Sequence, residues 1–364
     1  MSEQFDIAIV GAGIAGASLA AELGAHARVL LLEAEERPGY HSTGRSAAFW
    51  AESYGGPLVQ PLTTASGPWL AERGFLGPRG GLTLAHEDQQ GELEGFMREF
   101  ADAGVHVELL GRAEIEAIVP GLRQGWNHGV SEPDCQDIDV GGLHGWYLAE
   151  ASRAGVKLRC RAGLVAAEHD DFWRITTADG ATIRCTTLVN AAGAWADPVA
   201  VTAGLRPLGI QPLRRTIAQL RVSPQPSDAL PLVMDIASEF YFKPEHGRLW
   251  LSPQDETPCP PCDAAPEELD IAIAIDRFEQ VVDWRVERVE HKWAGLRSFA
   301  PDRLPVYGPD PANPAFFWFA GQGGYGIQTA PAAARLAAQI LLLKGDDTLT
   351  AGLDRDRYAA GRFA

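Results

Sequence analysis

The sequence predicts an α/β protein in which a Rossmann-type dinucleotide-binding domain is interleaved with an antiparallel-sheet domain. Three observations predict it. Phe5–Glu33 reads as strand, glycine turn, helix and parallel strand. Apolar runs that lead into small-residue helices recur downstream, at Leu188–Trp195 and Phe316–Gln328. Between them lie Pro- and Gly-rich turns and short strand patterns. The expected division assigns 1–82, 138–204 and 291–364 to the nucleotide domain, and 83–137 and 205–290 to the second domain.

The first element carries the most information. Phe5–Val10 is an apolar strand ending in Gly11-Ala12-Gly13-Ile14-Ala15-Gly16. Gly11 permits a tight turn, Gly13 lets backbone approach a pyrophosphate, and Gly16 lets helix and strand pack closely. The helix N-terminus faces the phosphates. Val29–Leu32 is the second strand. Glu33 closes it, twenty residues past Gly13, where a carboxylate can bond ribose hydroxyls.

Ala34–Trp50 follows, with a turn at Pro38-Gly39 and the run His41-Ser42-Thr43-Gly44-Arg45-Ser46. A nicotinamide enzyme has no use for such a segment. A flavin enzyme does, because a fixed ring system needs backbone donors and small side chains beneath it.

Tyr54–Pro120 reads as turns, then helices at about Asp88–Ala103 and Glu114–Ile118. Trp126–Gln136 reads as strand and turn. Asp139 is the expected N-cap of a helix over Gly141–Ala154. Val156–Cys160 is a strand, and Leu164–His169, Phe172–Thr177 and Thr182–Cys185 form a small meander. Leu188–Trp195 is a strand entering a helix through Ala-Ala-Gly. Arg214–Val222, Phe240–Lys243 and Leu249–Ser252 are strand-like, and a helix starts at Pro266 and reaches about Val282. Arg288–Phe299 is a strand and Phe316–Ala320 a buried one. The glycine run Gly321–Gly326 is expected to feed a helix to about Lys344, with Pro331 tolerated only in its first turn. Such an entry delivers free N–H groups and positive potential, suited to the negative pyrimidine side of a reduced flavin.

Composition narrows the classes. The chain has 364 residues and a formal net charge of −17, which argues against nucleic acid and anionic membrane surfaces as partners. No apolar run approaches the roughly 20 residues of a membrane helix, so no stable membrane insertion is expected. The first strand starts within five residues, which leaves no room for a signal peptide. Five cysteines in a chain this long form no disulfide framework, and a cytoplasmic location is expected. Cys259-Pro260-Pro261-Cys262 has redox-motif spacing in a proline-rich loop, but two ligands alone make no metal site, and no metal is expected.

With Ile9–Ala48, Leu188–Arg215, Trp293–Phe299 and Gln322–Thr329 in view, the chain resembles the D-amino-acid oxidase superfamily of FAD-dependent amine oxidoreductases, and within it the bacterial D-arginine dehydrogenases. The resemblance implies a D-amino-acid oxidase-like fold and non-covalent FAD, since no cysteine lies in a flavin-linking motif. It implies cofactor contacts at Gly11, Gly13, Ile14, Ala15, Gly16, Glu33, Ala34, Ser42, Thr43, Gly44, Arg45, Ser46 and Ala47. It extends them to Ala192, Gly193 and Trp195, and to Gly323, Gly324, Tyr325, Gly326, Ile327 and Gln328. Val165 is implied as a backbone contact beside the adenine; the alternative is a β-layer residue without a ligand.

The implied reaction oxidises an amino acid to an imino acid, which water converts to a 2-oxo acid and ammonia. Arg297 in WAGLRSF is the implied carboxylate clamp, since a guanidinium matches two carboxylate oxygens. Tyr241 helps hold the carboxylate. Arg215 is a pocket arginine, with Arg214 beside it as the alternative register. Tyr54 lies near the substrate amine, and Gly324 offers that amine a carbonyl.

Two departures bear on the substrate. Phe49 replaces a histidine of the relatives and can neither donate nor accept a conventional hydrogen bond. Gly81 stands where the relatives carry a glutamate for a cationic side chain. Phe49 and Trp50 therefore suggest an apolar pocket and neutral, hydrophobic D-amino acids. N-methyl amino acids, glycine and cyclic imino acids are the alternative, since the same clamp serves them. A 2-hydroxy-acid dehydrogenase is disfavoured, because an alcohol needs a general base and His41 reads as a loop support. A non-catalytic flavoprotein that binds a partner is the reading from another class, and the intact Arg297, Tyr241 and Gly323-Gly324 set argues against it. The electron acceptor is a quinone or oxygen. None of the four lysines, Lys157, Lys243, Lys292 and Lys344, falls in an oxygen-activating motif, which leans toward a dehydrogenase.

Overall fold

A computed structural model describes residues 3–364. Strand β1 (Glu3–Val10), helix α1 (Ile14–Gly24) and strand β2 (Val29–Leu32) form the expected unit. β1 pairs in parallel with β2 on one side and with Thr182–Asn190 on the other. Eight strands make this sheet. Leu164–His169 and Trp173–Thr177 extend it antiparallel beside the first half of Thr182–Asn190, and Phe316–Ala320 pairs in parallel with the second half.

Alternation along β1 places the core on both faces. Ile7 and Ile9 pack against α1 and the helix Ala330–Leu341. Ala8 and Val10 face Trp173, Ile175 and Trp318. A sheet covered on both sides explains why its strands read as continuous apolar runs.

The second sheet has ten strands, with Gln211–Ser223 and Arg285–Phe299 pairing antiparallel along most of their length. Ile271, Ala274, Phe278 and Val281 of the helix Glu268–Val281 cover one face of it. The sheet departs from a purely antiparallel one at Leu232–Asp235, which pairs in parallel with Gly81–His86 across a long connection. The expected domain limits at 82/83 and 290/291 fall inside Gly81–His86 and Arg285–Phe299. Both strands belong to this sheet.

Several expectations hold. Leu164–His169 and Phe316–Ala320 are strands with the expected limits. Asp139 caps the helix Val140–Arg153 by accepting from the Gly142 N–H at 2.8 Å. Others are corrected. A helix over Gln60–Glu72 lies where only turns were expected, because Pro61 sits in its first turn and Pro68 lies inside it. Thr182–Cys185 and the run from Leu188 are one continuous strand. The last long helix starts at Ala330, past the glycine run, with Pro331 in its first turn. Its Ala332 N–H is taken by Ser66 Oγ at 3.2 Å, so the glycine turn itself, and not the helix N-terminus, borders the large cavity described next.

Candidate active site

A cleft enclosing about 1930 Å³ of empty space, its mouth included, runs from the glycine turn after β1 to the strand that carries Arg297. At its first end Gly11 has φ +101°, and a Cβ there would stand 2.5 Å from the Ala191 carbonyl oxygen. Gly16 lies behind the wall, where a Cβ would meet the Gly11 carbonyl at 1.8 Å. It therefore enables packing and touches no ligand space. Gly11, Gly13, Ile14 and Ala15 line the cleft. Such a wall of backbone and small residues at a helix start suits a pyrophosphate.

Glu33 is buried beneath this turn. Its carboxylate accepts the Ala12 N–H at 3.1 Å and the Glu35 N–H at 3.0 Å. Two of its four acceptor positions remain for ribose hydroxyls. His144, which the sequence did not single out, bonds the Ala12 carbonyl through Nε2 at 2.9 Å. Burial holds its imidazole below the usual range, so the neutral ring donates there. Ala34 lines the wall with Ala162, Gly163 and Leu164. Val165, expected as a backbone contact, is not among the residues that line the cleft and is 60% exposed, next to a bulge after Leu164.

The segment after β2 is sewn to the second sheet. Thr43 Oγ1 accepts the Ile14 N–H at 3.0 Å, and Ser42 Oγ donates to the Leu296 carbonyl at 2.6 Å. Arg45 holds Asp263 and the carbonyls of Ala264 and Ala294, and Trp293 Nε1 donates to the Arg45 carbonyl at 3.1 Å. Ser42, Thr43, Arg45, Ser46 and Ala47 line the cleft. Gly44 does not, being turned onto the Gly39 carbonyl, where a Cβ would come within 2.7 Å. His41 Nε2 pairs with Glu35 at 2.9 Å and its ring lies 4.6 Å from Trp195, so it braces this loop. Ala192, Gly193 and Trp195 form the opposite wall, and Gly323, Gly324, Gly326, Ile327 and Gln328 close the far end. Tyr325 instead faces an adjoining cavity.

At that far end the long strand pair brings the polar residues together. Leu213 is opposite Arg297, and Arg215 is opposite Gly295. Arg297 Nη2 donates to Tyr54 Oη at 3.0 Å and Nη1 bonds Glu256 at 3.1 Å. Its Nε is buried without a partner. A Cβ on Gly324 would lie 2.6 Å from that Nε and 2.4 Å from Nη2, so only a glycine lets the backbone lie against this edge of the guanidinium. Arg215 is buried and donates to the Asp255 carbonyl at 2.9 Å. Burial and the charge of Arg297 lower its pKa. Tyr241 is buried in the same wall, and burial pushes its phenol up to about 12. The Phe49 ring lies 4.9 Å from Tyr54 and 6.4 Å from Tyr241.

Two expected pocket residues are elsewhere. Trp50 follows Phe49 in a strand and so points to the other side, where Nε1 donates to the Thr63 carbonyl at 2.9 Å. Gly81 pairs with Glu132, and a Cβ there would meet Cys135 at 3.3 Å; it borders neither cavity. The space beyond the arginines is more mixed than the expected apolar pocket: the adjoining cavity shares Tyr54, Arg215 and Arg297 with the cleft and adds Glu256, Arg303, Asp235 and Gln254 beside Phe96, Met234, Ile236 and Tyr325.

Three supports hold the site: Glu132 and Glu256, which the sequence reading did not single out, and Gln328, which it expected as a cofactor contact. Glu132 accepts the Glu52 N–H at 2.6 Å, the Ser53 N–H at 3.3 Å and the Ser53 hydroxyl, which fixes the turn that carries Tyr54. Gln328 donates to the Tyr54 carbonyl at 3.0 Å and to Thr63 Oγ1 at 2.9 Å. Glu256 is the third. Cys259 and Cys262 are free thiols 3.5 Å apart, packed behind Trp195 and outside the cleft. Among the described residues no three His, Cys, Asp or Glu side chains group as metal ligands, and no helix is long and apolar enough to cross a membrane.

Comparison with known proteins agrees with this architecture. A glycine oxidase of Pseudomonas aeruginosa is 28% identical, with 94% of this chain and 95% of that protein covered. The solved structure of glycine oxidase from Geobacillus kaustophilus superposes with a TM-score of 0.85 at 22% identity, covering 99% of each chain. That of L-proline dehydrogenase from P. horikoshii does so with a TM-score of 0.85 at 21% identity, covering 100% of this chain and 98% of that one. The family model described as FAD dependent oxidoreductase matches residues 6–340; with the glycine turn, Glu33 and the cleft between two sheets, this chain belongs to that family.

Proposed function

We propose that the protein oxidises the amine of an α-amino carboxylate to an imine, which water converts to a 2-oxo acid and ammonia. In this reading the nucleotide sheet holds FAD without a covalent link and the ten-stranded sheet presents the substrate. The carrying observation is the Arg297 guanidinium in the wall of the cleft, bonded to Tyr54 and flanked by Arg215. A carboxylate matches a guanidinium in such a wall with its two oxygens.

Bound FAD accepts the two electrons of the oxidation. The chain's residues do the rest. Arg297 and Tyr54 fix the carboxylate and thereby the Cα, with Arg215 and Tyr241 completing the wall. The Gly324 carbonyl takes an amine N–H. Phe49 offers no proton acceptor, and His41 is engaged with Glu35. The amine therefore reacts in its neutral form, and kcat/KM rises with pH until the substrate amine is deprotonated.

D-Amino acids with neutral side chains are the favoured substrates, on the resemblance and on Phe49. The second reading is glycine, N-methyl or cyclic amino acids. The 28% identity to a glycine oxidase favours it, and the close approach of Phe49 to Tyr54 leaves a small substrate best placed. None of the four lysines borders either cavity, which supports a dehydrogenase over an oxidase. The test is anaerobic mixing with single D- and L-amino acids, glycine, sarcosine and proline while the visible flavin band is followed. Bleaching by D-leucine or D-methionine but not their L-forms supports the first reading; bleaching by glycine, sarcosine or proline alone moves it to the second. No bleaching by any of them refutes amino-carboxylate oxidation.

A further inference from the structure

We propose that Glu256 sets the charge of the substrate: it stands as a fixed carboxylate on the outer side of the arginine cluster and rejects a second acidic group. The inference rests on the reading of Arg297 as the carboxylate clamp. Glu256 Oε1 lies 3.1 Å from Arg297 Nη1, 2.8 Å from Arg303 Nη2 and 3.5 Å from Arg215 Nη2. Three guanidinia thus converge on one oxygen, at the boundary between the cofactor cleft and the adjoining cavity.

This carboxylate is held in place by its neighbours. Asp255 accepts the Thr216 N–H at 2.6 Å and the Thr216 hydroxyl at 2.9 Å, and its carbonyl takes Arg215 Nε. On the other side Thr257 and Pro258 pair with the strand that carries Arg214 and Leu213. The Cys259 N–H donates to the Pro212 carbonyl at 3.1 Å. Glu256 is thereby anchored from both sides of the chain. Burial alone would raise its carboxyl, but the Arg303 hydrogen bond and the charges of Arg297 and Arg303 outweigh it and hold it below the ordinary range. It is ionised at neutral pH.

The consequence is a choice of substrate class. In that reading Arg297 meets the substrate's own carboxylate from the cleft, while its Nη1 and the Arg303 guanidinium are already matched by Glu256. A monocarboxylate amino acid completes the cluster. A dicarboxylate places its second charge against Glu256 and finds Arg303 occupied, a like-charge contact at short range in a partly desolvated site. Asp235, in the wall of the same cavity, adds to that rejection wherever it is ionised. Removing the Glu256 charge frees Arg303 for a distal carboxylate.

The experiment is calorimetric titration of the flavin-loaded protein with propionate and with succinate at pH 8. The wild type binds propionate more tightly than succinate. In E256Q the ratio of the two dissociation constants moves toward succinate by roughly tenfold or more, and in E256Q/R303Q that gain is lost. A merely structural Glu256 would weaken both ligands alike. An unchanged ratio in E256Q overturns the proposal, as does a wild type that binds succinate at least as tightly as propionate, a result that stands even if E256Q fails to fold. Binding of neither acid to the wild type instead overturns the clamp on which the proposal rests.

Discussion

Gly324→Ala puts the clamp to a quantitative test. The added methyl would lie 2.4 Å from Arg297 Nη2, 2.6 Å from Nε and 2.7 Å from Tyr54 Oη. The obstacles are the ends of side chains, so they can yield, and the backbone at 324 suits an ordinary residue. The fold survives, and Arg297 and Tyr54 are pushed out of the positions proposed to hold the carboxylate. At least one charge-assisted hydrogen bond to the carboxylate is lost, about 1.5–3 kcal/mol. At 1.36 kcal/mol per decade this lowers kcat/KM roughly ten- to a hundred-fold. The assay is steady-state kinetics with the fastest amino acid found by flavin bleaching, alongside the corresponding amino amide, which has no carboxylate to lose. The acid falls by that factor and the amide by far less. Its neighbour gives the contrast: Gly323 has φ +53°, and a Cβ there would stand 2.2 Å from the buried Phe299 ring. Gly323→Ala therefore costs stability, about 2–4 kcal/mol from backbone strain and overpacking. A Gly324→Ala protein whose kcat/KM for the acid stays within threefold of the wild type would refute the placement of the carboxylate.

Two further expectations concern the nucleotide end. Glu33→Ala strands the Ala12 and Glu35 N–H groups and removes the ribose acceptor, so the protein loses about 1–3 kcal/mol and releases flavin on ultrafiltration under conditions where the wild type retains it; equal retention would count against the role of Glu33. His144 gives a pH dependence. Burial depresses its folded pKa, so below about pH 6.5 the unfolded chain takes up a proton that the folded chain refuses. Stability is full above that pH and declines as pH falls through it. Between pH 7.5 and 5.5 the melting temperature of the wild type should fall more than that of His144→Asn, and parallel curves would exclude the effect.

What the sequence disclosed was what periodicity and turn chemistry encode locally. The glycine turn, Glu33, the Asp139 cap and the strand Phe316–Ala320 each depend on neighbours within one or two elements. The helix Gln60–Glu72 was hidden because Pro61 and Pro68 signal turns, although a proline in the first turn suits a helix. The clamp was half legible. Arg297 and Tyr54 stood in recognisable motifs, but Glu256 and Arg303 come from a proline-rich loop and a turn that only the folded chain brings to Arg297. Trp50 was misplaced because a strand's alternation says that two neighbours face opposite ways, not which of them faces a cavity, and Gly81 because it was placed by resemblance to a glutamate of the relatives. His144 and Glu132 bond backbone groups more than 75 residues away, and no local pattern marks such a contact.

The register of one strand pair decides the chemistry of the site. With Leu213 opposite Arg297 and Arg215 opposite Gly295, two guanidinia are forced close together in a poorly solvated wall. Burial first, and then the charge of Arg297, lower the Arg215 pKa. Like charges held in this way are a liability in the free protein, and Glu256 offsets part of it from outside. In the proposed reading an anion bound at Arg297 relieves more of it. In that reading binding free energy is concentrated at the carboxylate, the one group shared by every amino acid, and the groups that differ would meet Phe49 on one side and Glu256 with Arg303 on the other. A protein so arranged is selective for the carboxylate first and for the rest of the substrate second, so exchanging Phe49 or Glu256 should redirect the substrate preference, whereas exchanging Arg297 should abolish turnover of all of them.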